Sequence, residues 1–128
     1  MKHTFVYTVS EQDTAARMGS GLLPVYATPA VVALMENTAC RLIAALPADA
    51  DGALREGETT VGTRIAVDHV RACLPSSEVT CVAELVKYEG RQYDFLIEVT
   101  DSCGNLLAKA EHTRFLVLAD RFMAKLNG

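Results

Sequence analysis

Glu36 is the residue of this sequence that most directly suggests chemistry, because no other charged residue lies between Arg17 and Arg41. It interrupts the apolar run VVALMENTAC. Removing a carboxylate from water disfavours its ionised form, so such a group needs a compensating partner or has a raised pKa. Carboxylates in such surroundings often act as bases or nucleophiles. Glu36 is therefore the first site candidate, and pairing with an arginine elsewhere in the chain is the structural alternative.

Thr28 and His69 are two further polar residues that adjoin apolar segments. The Thr28 hydroxyl can cap a helix. His69 ends an alternating segment on the side shared with Ile65 and Val67, so its ring is expected to face the apolar interior. A histidine in that position is either an acid–base group or a core residue whose hydrogen bonds are satisfied.

One apolar helix is predicted to carry Glu36. Thr28 as the cap and Pro29 at the first helical position mark its start, and Pro47 ends it after about Leu46. Because this helix is apolar on almost every side, other structure is expected to wrap it.

The helix geometry limits how Thr28 and Glu36 can cooperate. Eight residues at 1.5 Å per residue separate them by about 12 Å along a regular helix, which is too far for a hydrogen bond. Three arrangements remain: an irregular start of the helix, two ends of one pocket, or one site that takes its residues from two subunits. We favour the irregular start at Thr28.

The remaining chain alternates with the period of β-strands. Strands are predicted at 4–9, 59–70, 79–86, 93–99 and 106–118, with short helical turns at 11–17 and 120–126. Tight turns join the last four strands, which predicts an antiparallel meander curled around the helix, an α+β fold. Such a sheet leaves an edge that a second copy can complete, so we expect a homodimer or a dimer of dimers.

Composition sets the remaining expectations. A chain of 128 residues with 50% hydrophobic residues predicts a single domain spanning 1–128. The net charge of -4 and the scattered lysines and arginines argue against nucleic acid as a partner. No apolar run has signal-peptide or membrane-span length, which predicts a cytoplasmic protein without a membrane partner. The four cysteines form no CxxC pair, so no metal site and no disulfide is expected.

Several segments together resemble the fluoroacetyl-CoA thioesterase family, a group with the hot-dog fold in which a sheet wraps a central helix. The matching segments are Thr28, Leu34-Met35-Glu36, EGETTVGT at 56–63, IAVDH ending at His69, EHTR at 111–114 and DRFMAK at 120–125. The resemblance covers most of the chain after residue 20.

The resemblance implies a catalytic Thr28, Glu36 and His69. It also implies that Gly62 offers a backbone N–H to the acyl carbonyl, which it could do across a dimer interface. It places Leu22 and Leu23 in the substrate-binding segment before the helix. The family has phenylalanines in that segment, whereas this chain has no Phe between Phe5 and Phe95. This departure argues against selectivity for fluoroacetate.

The leading hypothesis is therefore a hot-dog acyl-CoA thioesterase for a small or medium acyl group. Coenzyme A would be part of the substrate, and no further cofactor is expected. The alternative is a hot-dog protein that binds acyl-CoA or a small carboxylate without turnover. A hydratase ranks lowest, because the helix holds no Asp and His pair. His112 and Arg114 are interpreted as structural residues.

Overall fold

The computed structural model describes residues 1–128 as five β-strands and three α-helices. The strands are β1 (Lys2–Thr8), β2 (Glu58–His69), β3 (Glu78–Glu89), β4 (Gln92–Asp101) and β5 (Leu106–Leu118). The helices are α1 (Ala15–Met18), α2 (Thr28–Ala44) and α3 (Ala119–Asn127), and a short 3-10 turn, Glu11–Asp13, precedes α1. None of the helices has the length and apolarity needed to cross a bilayer.

All strand pairs in the single sheet are antiparallel, in the order β1-β3-β4-β5-β2. The predicted meander is confirmed for β3, β4 and β5 but is wrong for β2, which pairs with β5 at an edge. The chain after β2 crosses to the other side of the sheet. On the way Tyr26 donates its N–H to the Cys73 carbonyl, and Ser76 donates to the Val9 carbonyl. Both β1 and β2 are therefore edge strands.

Helix α2 packs on the inner face of this sheet, which confirms the predicted α+β fold. Eight of its residues are buried at helical spacing: Ala30, Val31, Leu34, Met35, Thr38, Ala39, Leu42 and Ile43. They meet a sheet face that includes Cys81, Phe95 and Val99. The opposite side of α2 is not covered, however, and Ala33 and Asn37 are exposed. Within one chain the predicted wrapping of the helix is thus one-sided.

The start of α2 differs from the prediction in its capping. Ala27 is the capping residue and makes no side-chain hydrogen bond, and Thr28 is the first helical residue. The helix is regular from Thr28 onward, so both the predicted hydroxyl cap and the predicted irregular start are wrong. Its end at Ala44 is two residues earlier than expected. The Thr28 hydroxyl is consequently available for another contact.

A β-bulge interrupts β2 near its middle. Gly62 lies opposite Arg114, and Arg64 lies opposite Thr113, so Thr63 is an extra residue in the strand. The predicted alternation therefore fails at Thr63, which is exposed and donates its hydroxyl to the Thr113 carbonyl at 3.3 Å. The bulge changes which residues face the helix on its two sides.

Candidate active site

Glu36 has the compensating partner that its surroundings require. The Arg114 Nη1 lies 3.3 Å from Glu36 Oε2, and the two side chains are 8% and 40% exposed. Arg114 also donates from Nε to the Thr60 hydroxyl at 2.9 Å and from Nη2 to the Thr60 carbonyl at 3.1 Å. The guanidinium is thus fixed against β2, and it holds one carboxylate oxygen of Glu36 while the other, Oε1, stays available.

His112 completes the support of Arg114. Its Nδ1 lies 2.8 Å from the Arg64 carbonyl, and its Nε2 lies 3.3 Å from Arg114 Nη1. A guanidinium only donates hydrogen bonds, so Nε2 must accept and Nδ1 must carry the proton. Burial lowers the pKa of His112, which agrees with a neutral ring. The ring also stacks on Phe95, with 5.9 Å between the centroids.

Gly62 lets the β2 backbone approach the Glu36 carboxylate closely. A Cβ at position 62 would lie 2.6 Å from Glu36 Oε2 and 3.3 Å from Arg114 Nη1, so only glycine fits this arrangement without displacement. The Ala119 N–H donates to the Gly57 carbonyl. By the alternation of an antiparallel ladder, the N–H of Gly62 then points away from β5 toward the open edge.

Thr28 and His69 form a second cluster. Thr28 Oγ1 lies 2.8 Å from His69 Nδ1. The His69 Nε2 is buried and has no hydrogen-bond partner. Burial lowers the pKa of His69, and the nearby backbone of Arg71 opposes this shift only in part. The imidazole is therefore neutral at pH 7 and can accept a proton.

A cavity of about 330 Å³ opens beside this second cluster. Its lining consists of Ala15, Ser20, Val25, Tyr26, Ala27, Thr28, Pro29, His69, Val70, Arg71 and Ala72. Leu22 and Leu23, the predicted substrate-binding residues, do not line it and are 95% and 65% exposed.

One chain therefore brings the predicted residues together in two pairs and not as one group. Thr28 meets His69, and Glu36 meets Gly62. About 12 Å of helix separates Thr28 from Glu36, and seven residues of extended chain, roughly 23 Å, separate Gly62 from His69. Each pair is half of the predicted constellation.

Sequence reasoning missed His112 and Arg114 as parts of the site. The sequence did indicate their role, because both residues lie on the inward face of β5 and the other residues on that face are apolar. Two polar residues on that face, with one unpaired acid on the facing helix, indicate a buried ionic contact. Both are indeed buried, and both contact the Glu36 cluster.

Comparisons with known proteins show the family to which the chain belongs. The sequence model of a family described as fluoroacetyl-CoA-specific thioesterase matches residues 9–120. The chain belongs to this family. This membership confirms the resemblance expected from the motifs, and it confirms the predicted class, a thioester hydrolase.

Individual relatives give the degree of similarity. The fluoroacetyl-CoA thioesterase of Streptantibioticus cattleyicolor is 32% identical over 102 residues, which is 80% of this chain and 68% of that protein. A solved structure of the fluoroacetyl-CoA thioesterase FlK aligns with a TM-score of 0.88 and 27% identity, covering 99% of this chain and 93% of that one. A hot-dog-like protein from Thermanaerovibrio acidaminovorans has a TM-score of 0.82 at 22% identity over 98% and 87% of the two chains, which confirms the hot-dog fold.

Proposed function

We propose that this protein hydrolyses short acyl-CoA thioesters in two composite sites of a homodimer. In each site Thr28 and His69 of one subunit face Glu36 and Gly62 of the partner subunit. The observation that carries the proposal is the division of the predicted constellation into two pairs along the open edge strand β2, one at Gly62 near its middle and one at His69 at its end. A twofold axis beside that edge inverts one strand, so His69 of each subunit can lie near Gly62 of the other.

Two exposed features support this dimer. No strand pairs with β2 beyond its open edge, and such an edge is the usual place for addition of another strand. The uncovered side of α2 includes Ala33 and Asn37, and a partner's helix could cover it. Together the edge and the helix side offer one continuous surface for a second copy.

The chemistry of thioester hydrolysis fits the groups in the composite site. The Gly62 N–H points toward the open edge, where it could stabilise the negative charge that develops on the acyl oxygen. The free Oε1 of Glu36 either attacks the acyl carbon directly or removes a proton from the attacking water. The carbon–sulfur bond then breaks, and coenzyme A leaves as a thiolate that takes up a proton. After direct attack the acyl group remains on Glu36 as a mixed anhydride, which water then hydrolyses. The products are a carboxylate and the free thiol.

Thr28 and His69 act from the other side of the acyl group. Thr28 lines the cavity, and its hydroxyl could bind the acyl oxygen or the water. The neutral ring of His69 fixes that hydroxyl through Nδ1 and could accept a proton at Nε2, the nitrogen that has no partner in the single chain.

The cavity beside Thr28 suggests a short acyl group. Its volume of about 330 Å³ lies at the small end of ligand sites. Coenzyme A is bound as part of the substrate, and one FlK variant, at 26% identity, has been solved with fluoroacetate and CoA. This chain has no phenylalanine between Phe5 and Phe95, so we infer no preference for the fluoroacetyl group.

A panel of acyl-CoA esters tests this function. We expect the purified protein to release thiol from acetyl-, propionyl- and butyryl-CoA, with less release from dodecanoyl-CoA because the cavity is too small for a long chain. Fluoroacetyl-CoA should be hydrolysed no faster than its best short competitor. The measurement is thiol release followed with a chromogenic thiol reagent.

The control for the panel is binding measured by calorimetry with the same esters. Saturable binding without thiol release for every ester would contradict hydrolysis and would favour the alternative, a binding protein without turnover. A preference for dodecanoyl-CoA would contradict the short acyl group.

A further inference from the structure

A single charged side chain, that of Arg71, lines the cavity beside Thr28 and His69. The other lining residues are apolar or neutral, and no carboxylate is among them. Burial lowers the pKa of His69, so its ring adds no positive charge at pH 7. The cavity wall therefore carries one positive charge, and no lining residue of opposite sign neutralises it.

Backbone hydrogen bonds fix Arg71 close to His69. Arg71 donates its N–H to the Leu107 carbonyl at 3.2 Å, and Tyr26 donates its N–H to the Cys73 carbonyl at 2.9 Å. The second bond joins the segment after β2 to the segment before α2, so both walls of the cavity are held together. Arg71 follows His69 by two residues, which places their Cα atoms at most about 7 Å apart. The guanidinium is thus held near the proposed reaction centre.

The one carboxylate paired with Arg71 is not part of the cavity wall and has donors of its own. Arg71 Nε lies 3.8 Å from Asp101 Oδ2, and 55% of the arginine side chain is exposed. Asp101 Oδ1 accepts the N–H groups of Cys103 and Asn105, both at 2.9 Å, and Oδ2 accepts from the Asn105 amide at 3.0 Å. The bonds from Asn105 lower the pKa of Asp101 most, and Arg71 contributes least to that shift. An exposed ion pair of this length contributes little, so the guanidinium can bind another anion.

An acyl-CoA ester offers two kinds of anion to Arg71, a carboxylate on the acyl group or the diphosphate of coenzyme A. The whole pantetheine arm separates the diphosphate from the sulfur. A carboxylate at the far end of a short acyl chain lies only a few bonds from the carbonyl that is attacked. The short distance between Arg71 and His69 therefore favours the carboxylate, which a guanidinium can bind through two parallel hydrogen bonds.

We propose that Arg71 binds a second carboxylate of the substrate, so that the protein prefers CoA thioesters of short dicarboxylic acids. The inference rests on the proposed function and names the substrate class of the same site. Hydrolysis itself is unchanged: water replaces the sulfur at the acyl carbon, and the products are a dicarboxylate and the free thiol. A neutral acyl group of equal length lacks the charge-assisted bonds to the guanidinium, which are about twice as strong as neutral ones.

Two esters of equal chain length test the proposal. Succinyl-CoA ends in a carboxylate, whereas valeryl-CoA ends in a methyl group. We expect kcat/KM to be about 10- to 100-fold higher for succinyl-CoA, the gain typical of hydrogen bonds to a charged group. The measurement is thiol release at pH 7, corrected for the spontaneous hydrolysis of succinyl-CoA without enzyme. Equal values for the two esters in the wild-type protein would overturn the proposal.

Variants of Arg71 connect this preference to the guanidinium. Arg71→Gln should remove the preference, because it lowers kcat/KM for succinyl-CoA about 10- to 100-fold more than that for valeryl-CoA. Arg71→Lys should keep part of it, since lysine retains the charge but not the two parallel hydrogen bonds. The control Arg91→Gln changes an exposed arginine in the turn before β4, at the other end of the sheet, and should alter neither value. A preference for succinyl-CoA that survives in Arg71→Gln would overturn the role of Arg71.

A truncated substrate distinguishes an acyl carboxylate from the diphosphate. The succinyl thioester of N-acetylcysteamine keeps the acyl group but lacks the diphosphate. Arg71→Gln should lower kcat/KM for this thioester by the same factor as for succinyl-CoA. Equal losses with succinyl-CoA and valeryl-CoA, and none with the truncated thioester, would mean that Arg71 binds the diphosphate, which overturns the proposal.

The same assays separate this inference from the proposed function. Hydrolysis of acetyl-, propionyl- and butyryl-CoA without a preference for succinyl-CoA would overturn only the inference. Absence of thiol release from every ester would overturn the function and the preference together. Release from succinyl-CoA above that from all neutral esters would support both.

Discussion

Replacing Glu36 by glutamine is expected to reduce kcat by about 10²- to 10⁴-fold, the range found when a positioned acid–base group is lost. Glutamine keeps the shape of the side chain and can still accept a hydrogen bond from Arg114. It has no carboxylate that could attack the acyl carbon or take a proton from water. The measurement is steady-state thiol release from the best short acyl-CoA ester.

The choice of glutamine separates catalysis from folding. Alanine would leave the guanidinium of Arg114, whose side chain is 8% exposed, without its counter-charge. The control is Glu89→Gln, which makes the same chemical change at an exposed carboxylate at the end of β3 and should leave kcat unchanged. Full activity of Glu36→Gln with an unchanged melting temperature would contradict a role for this carboxylate.

Replacing Gly62 by alanine is expected to lower kcat/KM about 100-fold, a loss typical of a misplaced catalytic group. The added Cβ would lie 2.6 Å from Glu36 Oε2, so either the carboxylate or the strand has to move. The dihedral angles of Gly62 are not in the left-handed region, and the expected loss therefore comes from this contact and not from backbone strain.

A double variant shows whether Gly62→Ala acts through Glu36. If the new methyl group displaces the carboxylate, Gly62→Ala should cost little further activity once Glu36 is already glutamine. Sedimentation of the single variant checks that the dimer persists. Fully additive losses in a protein that still dimerises would mean that the glycine acts independently of the carboxylate.

The sequence predicted the structure best where the pattern within a single segment was enough to define a strand or helix. The prediction for β5 agrees with the observed Leu106–Leu118 at both ends, because alternation over thirteen residues leaves little ambiguity. The position of β2 was less predictable. A period of two residues shows that a segment is a strand, but it does not show which neighbour the strand pairs with.

In the site, too, patterns within one segment could be predicted, whereas contacts between residues far apart in the sequence could not. A threonine before a proline is a common start of a helix, and nothing near Thr28 indicates that its hydroxyl contacts His69, 41 residues later. The bulge at Thr63 depends on pairing with β5 and is invisible in β2 alone. When a second copy of the chain completes a site, the spacing of residues within one sequence does not show which residues meet.

The composite site is the central claim, and mixing two inactive variants tests it most directly. Glu36→Gln and His69→Ala are purified separately, assayed alone, and then exchanged into mixed dimers at equal amounts. Half of the dimers should then be mixed, and each mixed dimer should hold one intact site of its two. We predict recovery of about one quarter of the wild-type activity. If subunits exchange and the mixture stays as inactive as its components, Glu36 and His69 do not serve one site from two subunits.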